Sequence, residues 1–193
     1  MTNDSSQMSN WRIINLVAED QDAVTQTASL LFEEFKLHWA NAWPSFTAAL
    51  AEVNLSLGAD RISRIAIDEN HQVLGWIGGI SQYEGNVWEL HPLVVRSNRQ
   101  KQGIGKALVT DLETEVKQRG GITLWVGTDD EDGMTSLANI DLYPNLFEHI
   151  AEIKNLRGHP YEFYQKMGFV IVGVMPDANG WGKPDIYMAK RVE

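Results

Sequence analysis

The stretch that decides the fold reads Val94-Val95-Arg96-Ser97-Asn98-Arg99-Gln100-Lys101-Gln102-Gly103-Ile104-Gly105-Lys106-Ala107-Leu108. It begins as the end of an apolar strand, continues as a basic loop with two glycines, and ends as the start of a helix. Main-chain N–H groups that open a helix, with no side chains in the way, form a binding site for anions. Arg99, Lys101 and Lys106 concentrate positive charge around the two glycines in an otherwise acidic chain, which favours a phosphate ligand.

Two familiar phosphate loops do not fit this stretch. A Walker A loop requires glycine at position 100 and serine or threonine at 107, where Gln100 and Ala107 stand. A dinucleotide fingerprint requires glycine where Leu108 stands. For an isolated glycine pair, close packing of a helix is the more frequent explanation, because glycine is the usual residue of tight turns.

The chain is acidic and has no cysteine. Its 193 residues include 16 Lys and Arg against 26 Asp and Glu, which gives a formal net charge of −10. Such a surface disfavours nonspecific binding to nucleic acid or to anionic membranes. It suits a cationic partner, although acidity also serves solubility alone. The absence of cysteine excludes disulfides, thiolate nucleophiles and cysteine zinc sites.

The N-terminal segment, residues 1–10, is polar and lacks the basic and apolar parts of a signal peptide. No apolar run approaches the roughly 20 residues that span a bilayer. We therefore expect a flexible tail over residues 1–10, a single domain over residues 11–193, and a cytoplasmic protein.

Hydrophobic periodicity predicts a mixed α/β (α+β) fold in which strands form a mainly antiparallel meander. Strands are predicted at 11–16, 62–67, 73–81, 87–95, 122–127, 169–175 and 186–190, and an acidic loop at 128–133. Helices are predicted at 20–57 with an interruption at Pro44, and at 103–119, 144–156 and 160–168. One apolar helix face combines Leu30, Leu31, Phe35 and Trp39. Pro92 cannot donate to a ladder, so the strand should bulge or splay there.

The run Gln100-Lys101-Gln102-Gly103-Ile104-Gly105 resembles the signature of the GNAT superfamily of N-acetyltransferases, Gln/Arg-x-x-Gly-x-Gly/Ala. The order of strands and helices matches as well. The resemblance implies acetyl-CoA as co-substrate, helices on both faces of the sheet, and a splay between strands 4 and 5 that admits the pantetheine arm. It also implies that the coenzyme A pyrophosphate is held by the main chain of Gln100, Lys101, Gln102, Gly103, Ile104, Gly105 and Lys106.

Three further segments resemble aminoglycoside 6′-N-acetyltransferases, particularly the chromosomally encoded enterococcal type. They are Trp88-Glu89-Leu90-His91-Pro92-Leu93-Val94-Val95, Arg119-Gly120-Gly121-Ile122-Thr123 with Gly127-Thr128-Asp129-Asp130, and His159-Pro160-Tyr161-Glu162-Phe163-Tyr164 with Asn179 to Ile186. The resemblance extends from about Leu74 to Arg191. It implies acetylation of the 6′-amine of an aminoglycoside, and a homodimer.

The reaction, attack of an amine on a thioester carbonyl, needs a neutral amine, a donor to the developing oxyanion and an acid for the leaving thiolate. By resemblance, Glu89 positions or deprotonates the amine, the N–H of Leu93 donates to the oxyanion, and Tyr164 protonates the thiolate. Val94 and Val95 bind the pantetheine amide by the same resemblance. An exposed strand glutamate and a buried tyrosine are the ordinary structural interpretations of Glu89 and Tyr164.

His91 lies two residues beyond Glu89 and therefore on the same strand face. It could transfer a proton or simply bond to a neighbour, and the structural role is slightly favoured. No other histidine has metal-ligand spacing with it, so no metal is expected.

The substrate should meet carboxylates and aromatic rings. Asp129 and Asp130 follow a central strand, where they can neutralise ammonium groups, although acidic runs are usually solvated loops. Trp43 and Tyr83 are candidates for stacking on sugar rings, although most tryptophans are core residues.

Two other functions stay open. The same enzyme class could act on a polyamine, a peptide or a protein lysine, which a test with spermidine would distinguish. A non-catalytic module that binds acetyl-CoA would show binding without turnover. Because no cysteine can carry an acetyl group, a ternary complex is favoured over a ping-pong route.

Overall fold

A computed structural model describes residues 10–36 and 42–193. The predicted flexible tail, apart from Asn10, and the predicted helix-face residue Trp39 lie outside these residues. Seven strands form one sheet in the order β1-β2-β3-β4-β5-β7-β6. The strands are β1 (Trp11–Asn15), β2 (Arg61–Asp68), β3 (Val73–Gln82), β4 (Val87–Val95), β5 (Thr123–Asp129), β6 (Val170–Met175) and β7 (Asp185–Arg191). Every neighbouring pair is antiparallel except β4 and β5, which confirms the mixed, mainly antiparallel sheet.

Five α-helices accompany the sheet in the described part of the chain. They are α1 (Gln21–Phe35), α2 (Phe46–Leu55), α3 (Ile104–Gln118), α4 (Leu146–Ala151) and α5 (Tyr161–Lys166). The side chains of Asp20 and Ser45 cap α1 and α2 by accepting main-chain N–H bonds. In residues 10–36 and 42–193, no helix is both long enough and apolar enough to cross a bilayer.

The helices lie on both faces of the sheet, as the sequence predicts. On one face, Leu108, Leu112 and Val116 of α3 pack into a core that also contains Tyr164 of α5. On the other face, α1 and α2 pack into a second core around Trp76. Burial of this apolar surface is the main stabilising contribution to the fold.

The strand and helix bounds agree with the sequence prediction within a few residues, with three exceptions. Helix α1 ends at Phe35, whereas the predicted helix was interrupted only at Pro44. The predicted acidic loop begins too early, because Thr128 and Asp129 continue β5 and pair with β7. Helix α4 ends at Ala151 and not at Leu156. The chain beyond it leaves the helix because Lys154 and Leu156 bond to the main chain of residues 134–136.

Candidate active site

The sheet forks between β4 and β5. The two parallel strands pair only at Val87↔Thr123, Trp88↔Leu124 and Glu89↔Trp125. The rest of β4 runs on alongside β3, and the rest of β5 runs on alongside β7. The predicted splay between strands 4 and 5 is thus present, and Glu89 lies where it opens.

Just beyond the fork, a bulge in β4 changes which face of the sheet its alternate side chains point to. Ile77 pairs with Leu93 whereas Gly79 pairs with Leu90, so β4 carries one extra residue opposite Gly78. An added residue inverts the alternation of a strand. Leu90 accordingly packs into the core under α3, and Val94 packs into the core under α1 and α2. The irregularity predicted at Pro92 lies within this bulge.

The basic loop ends at an uncapped helix start. Gly103 precedes α3 with φ +87°, a conformation that favours glycine, and no side chain caps the first turn. The first N–H groups of α3 therefore face the loop. Gln100 fastens the loop to β4, since its side-chain Nε2 donates to the carbonyl of Val95 at 3.2 Å. Its own main-chain N–H donates to the Ser97 carbonyl at 3.4 Å, so this amide is already engaged.

Helix α5 closes the fork on the α3 side. A Cβ built on Gly105 would lie 3.6 Å from the ring of Phe163 and 3.7 Å from the side chain of Val95. The neighbouring Tyr164 is 6% exposed and packs edge-on against Phe163 and Phe169. Burial raises the pKa of Tyr164 far above its ordinary value, so the residue keeps its proton at neutral pH.

Glu89 is held on the opposite face of the sheet by the side chains of two other strands. Gln82 of β3 donates from Nε2 to Glu89 Oε2 at 2.7 Å. Trp125 of β5 donates from Nε1 to Gln82 Oε1 at 3.0 Å. The Trp125 ring packs edge-on against Tyr187 of β7, with ring centroids 5.8 Å apart.

Two aspartates extend this face toward the end of β5. Asp129 and Asp185 are directly opposed across the β5–β7 pair. The Asp185 carboxylate lies against Gly127, and its Oδ1 is buried with no hydrogen-bond partner in the described structure. Burial, followed by the charge of Asp129, raises the pKa of Asp185 to about 7. A cation here would relieve both the desolvation and the repulsion.

The raised pKa predicts how stability depends on pH. An unfolded aspartate titrates near pH 3.9, about three units lower, so the folded state holds an extra proton between the two values. The contribution of Asp185 to the free energy of unfolding is therefore lost as the pH rises from about 4 through about 7. Asp185→Asn has no such proton, so we expect its melting temperature relative to wild type to be higher at pH 8 than at pH 5. An equal difference at both pH values would contradict the shift.

Asp130 does not lie on this face. The residue is fully buried, and its carboxylate accepts bonds from the N–H groups of Met134 and Thr135 and from the Thr135 hydroxyl, at 2.6–2.8 Å. Alternation along the strand turns Asp130 inward where Asp129 points outward. The predicted substrate contact of Asp130 is therefore replaced by a role in organising the loop 130–135.

The remaining predicted residues have different surroundings. Trp43 is 9% exposed and packs edge-on against Phe35 in the core, so the structure does not present it as a stacking surface for a sugar. His91 lies beside the Trp43 ring and 3.9 Å from the Glu52 carboxylate, on the same strand face as Glu89. Tyr83 is 75% exposed on the turn after β3, where a sugar ring can reach it.

His159 joins the acidic face to α5 and was not predicted as a site residue. Its Nδ1 accepts from the N–H of Tyr161 at 3.2 Å, so Nε2 carries the proton and donates to the Asp129 carbonyl at 3.1 Å. Burial lowers the pKa of His159, which favours this neutral form. Gln82, Trp125, Asp185 and Tyr187 were also missed. The position of a residue in a strand predicts which face of the sheet its side chain occupies. It does not predict which side chains it contacts on the neighbouring strands.

The fork and the uncapped helix start are the two features that the sequence resemblance predicted, and together they define an acyl-transferring fold. The chain belongs to the GNAT family of acetyltransferases, whose sequence profile matches residues 27–143. None of the curated protein sequences matches the chain.

Solved structures give a finer comparison. An aminoglycoside 6′-N-acetyltransferase complexed with coenzyme A is 44% identical to this chain, with a TM-score of 0.87, and the match covers 94% of this chain and 97% of that chain. The aminoglycoside 6′-N-acetyltransferase from Enterococcus faecium is also 44% identical, with a TM-score of 0.85 and the same coverage. An aminoglycoside 6′-acetyltransferase type Ii is 38% identical, with a TM-score of 0.72, and again covers 94% of this chain and 97% of that chain. These similarities confirm the resemblance inferred from the sequence.

Proposed function

We propose that this protein transfers the acetyl group of acetyl-CoA to the 6′-amine of an aminoglycoside in a ternary complex. One observation carries the proposal. The uncapped start of α3 lies on one side of the sheet, and the carboxylates of Glu89, Asp129 and Asp185 lie on the other. The fork between β4 and β5 opens between the two sides. A thioester held from the first side can therefore meet an amine held on the second.

The residues that would hold coenzyme A fit that group. Its diphosphate suits the N–H groups of Gln102, Gly103, Ile104, Gly105 and Lys106, since no side chain occupies the helix start. Lys101 and Lys106 are exposed and add positive charge. The Gln100 N–H makes a smaller contribution, because it already bonds to Ser97. Val94 and Val95 follow the bulge, where their main chain can pair with the pantetheine amide. Bound acetyl-CoA supplies the activated carbonyl carbon.

The carboxylates favour a substrate with several ammonium groups. We propose that Glu89 holds the attacking amine and accepts its proton, directly or through water. Asp129 and Asp185 lie farther along the same face and would bind further ammonium groups. Tyr83 would contact a sugar ring at the rim. Three carboxylates along one face suit the several spaced charges of an aminoglycoside.

Two groups complete the proposed mechanism. The N–H of Leu93, just beyond the bulge, donates to the carbonyl oxygen as negative charge develops there. Tyr164 then protonates the leaving sulfur. His91 contacts Trp43 and Glu52, so we propose that it maintains the shape of β4 and transfers no proton.

The role of Tyr164 can be tested by removing one oxygen atom. We expect Tyr164→Phe to lower kcat about tenfold or more, because the leaving thiolate loses its acid. KM and the melting temperature should change little, because phenylalanine retains the ring packing against Phe163 and Phe169. Tyr143→Phe, at a tyrosine that is 72% exposed, is the matched control. Unchanged kcat in Tyr164→Phe would exclude the role.

A substrate panel tests the function itself. Purified protein is incubated with acetyl-CoA and kanamycin, tobramycin, or analogues that lack the 6′-amine, and release of coenzyme A is measured. We expect turnover only where the 6′-amine is present. Equal turnover without that amine would contradict the regiochemistry, and far faster turnover of spermidine would show a polyamine acetyltransferase.

We further propose a homodimer in the cytoplasm. The homodimer follows the resemblance to aminoglycoside acetyltransferases. A cytoplasmic location follows from the co-substrate, because the charged diphosphate of acetyl-CoA does not cross a membrane unaided. Light scattering of the purified protein measures the oligomeric state directly.

A further inference from the structure

We infer that Gln82 is a positioning residue for Glu89, whose carboxylate it holds aimed at the fork, and that Trp125 fixes the orientation of Gln82. This inference rests on the proposed function for its catalytic meaning. The chain of two hydrogen bonds runs across three strands, from Trp125 in β5 through Gln82 at the end of β3 to Glu89 in β4.

The direction of both bonds is fixed by chemistry. An indole nitrogen can only donate, so the oxygen of the Gln82 amide must face Trp125. The nitrogen of the same amide must then face Glu89, and an ionised carboxylate can only accept. Trp125 thereby prevents Gln82 from turning its oxygen toward the carboxylate, an arrangement that would repel the charge.

The position of Glu89 explains why hydrogen bonds that orient its carboxylate are useful. Glu89 and Trp125 are the last residues at which β4 and β5 pair. Beyond them β5 no longer pairs with β4, so it does not help to hold the Glu89 side chain in place. Gln82 bonds to Oε2 and leaves Oε1 for an amine. Asp185 and Tyr187 of β7 are the titratable groups on this face that the charge of Glu89 reaches.

The test replaces the donor without shortening the side chain. Gln82→Met retains length but cannot donate to the carboxylate. The protein is labelled with ¹³C at glutamate carboxyl carbons, and the Glu89 signal is assigned by its loss in Glu89→Gln. At a fixed neutral pH we expect the Glu89 carboxyl carbon signal to shift in Gln82→Met, because the hydrogen bond from Gln82 to the carboxylate is lost. This measurement needs no substrate, so it is independent of the proposed function.

Trp125→Phe is the second variant, which removes the indole donor to Gln82 but keeps an aromatic ring beside Tyr187. It should move the Glu89 carbon signal in the same direction by a smaller amount, and the double variant should match Gln82→Met alone, because both changes break one chain of hydrogen bonds. Gln118→Met, at the exposed glutamine that ends α3, is the control and should leave the Glu89 carbon signal unchanged.

Kinetics then separate positioning from a general structural role. If the wild type acetylates a 6′-amino substrate, kcat should fall about tenfold in Gln82→Met, because the carboxylate is no longer held in place beside the amine. KM for acetyl-CoA should stay the same. An unchanged Glu89 carbon signal in both single variants, or additive shifts in the double variant, would overturn the inference. Absence of wild-type turnover would instead refute the proposed function.

Discussion

Glu89→Gln is expected to lower kcat/KM for the amine substrate about 100-fold, within the usual range for loss of a general base. The substitution removes the negative charge but retains the size of the side chain and an oxygen that can accept from Gln82. Affinity for coenzyme A should not change, because the proposed diphosphate site lies at the start of α3 on the other side of the fork. Steady-state kinetics and calorimetric titration with coenzyme A measure the two quantities separately.

A matched control is available for this substitution. Glu69 is exposed in the turn between β2 and β3, and Glu69→Gln removes the same charge away from the fork. We expect this variant to retain wild-type kinetics. If Glu89→Gln stays within threefold of the wild type, the amine is neither held nor deprotonated by Glu89, and the proposed mechanism is wrong.

Gly78→Ala is expected to destabilise the protein by about 2–3 kcal/mol, the upper part of the usual cost of overpacking. A Cβ at this position would collide with the main-chain carbonyl of His91. A flexible side chain could move away, but this oxygen belongs to the bulge itself. Since the bulge sets the position of Leu93, we also expect lower kcat in the protein that remains folded. Chemical denaturation and kinetics measure the two effects.

Gly173→Ala provides the comparison. Gly173 also lies in a strand beside a bulge, in β6, but a Cβ there meets no atom within 4 Å. This substitution should leave stability unchanged or raise it slightly, because alanine restricts the unfolded chain. Equal stability of the two variants would show that β4 and β3 can separate freely at Gly78.

Local signals predicted strand β4 and its irregularity well, whereas the fork between β4 and β5 was implied by the resemblance to the GNAT family. The run from Val87 to Val95 alternates and is bounded by turn residues, so β4 was predicted with its exact bounds. Pro92 marked the bulge because it cannot donate to a ladder. Gly103 marked the start of α3. Each of these signals depends on neighbours within a few residues, which is the range over which sequence determines backbone conformation.

The side-chain partners could not be predicted in the same way. Gln82 and Trp125 are 43 positions apart and meet only because of the strand order and register. Asp185 is opposite Asp129 for the same reason. For Trp43 the residue type itself was ambiguous, because an aromatic side chain suits both a hydrophobic core and a sugar-binding surface. Asp130 was misplaced because β5 was predicted to end two residues early, which concealed the inward turn of its side chain.

A crystal structure of the protein with coenzyme A and kanamycin tests the central claim most directly. We expect the diphosphate at the N–H groups of Gln102 to Lys106, the sulfur in the fork near Tyr164, and the 6′-amine within hydrogen-bond distance of Glu89. A nucleotide bound away from the start of α3, or an amine bound on the α3 side of the sheet, would contradict the account.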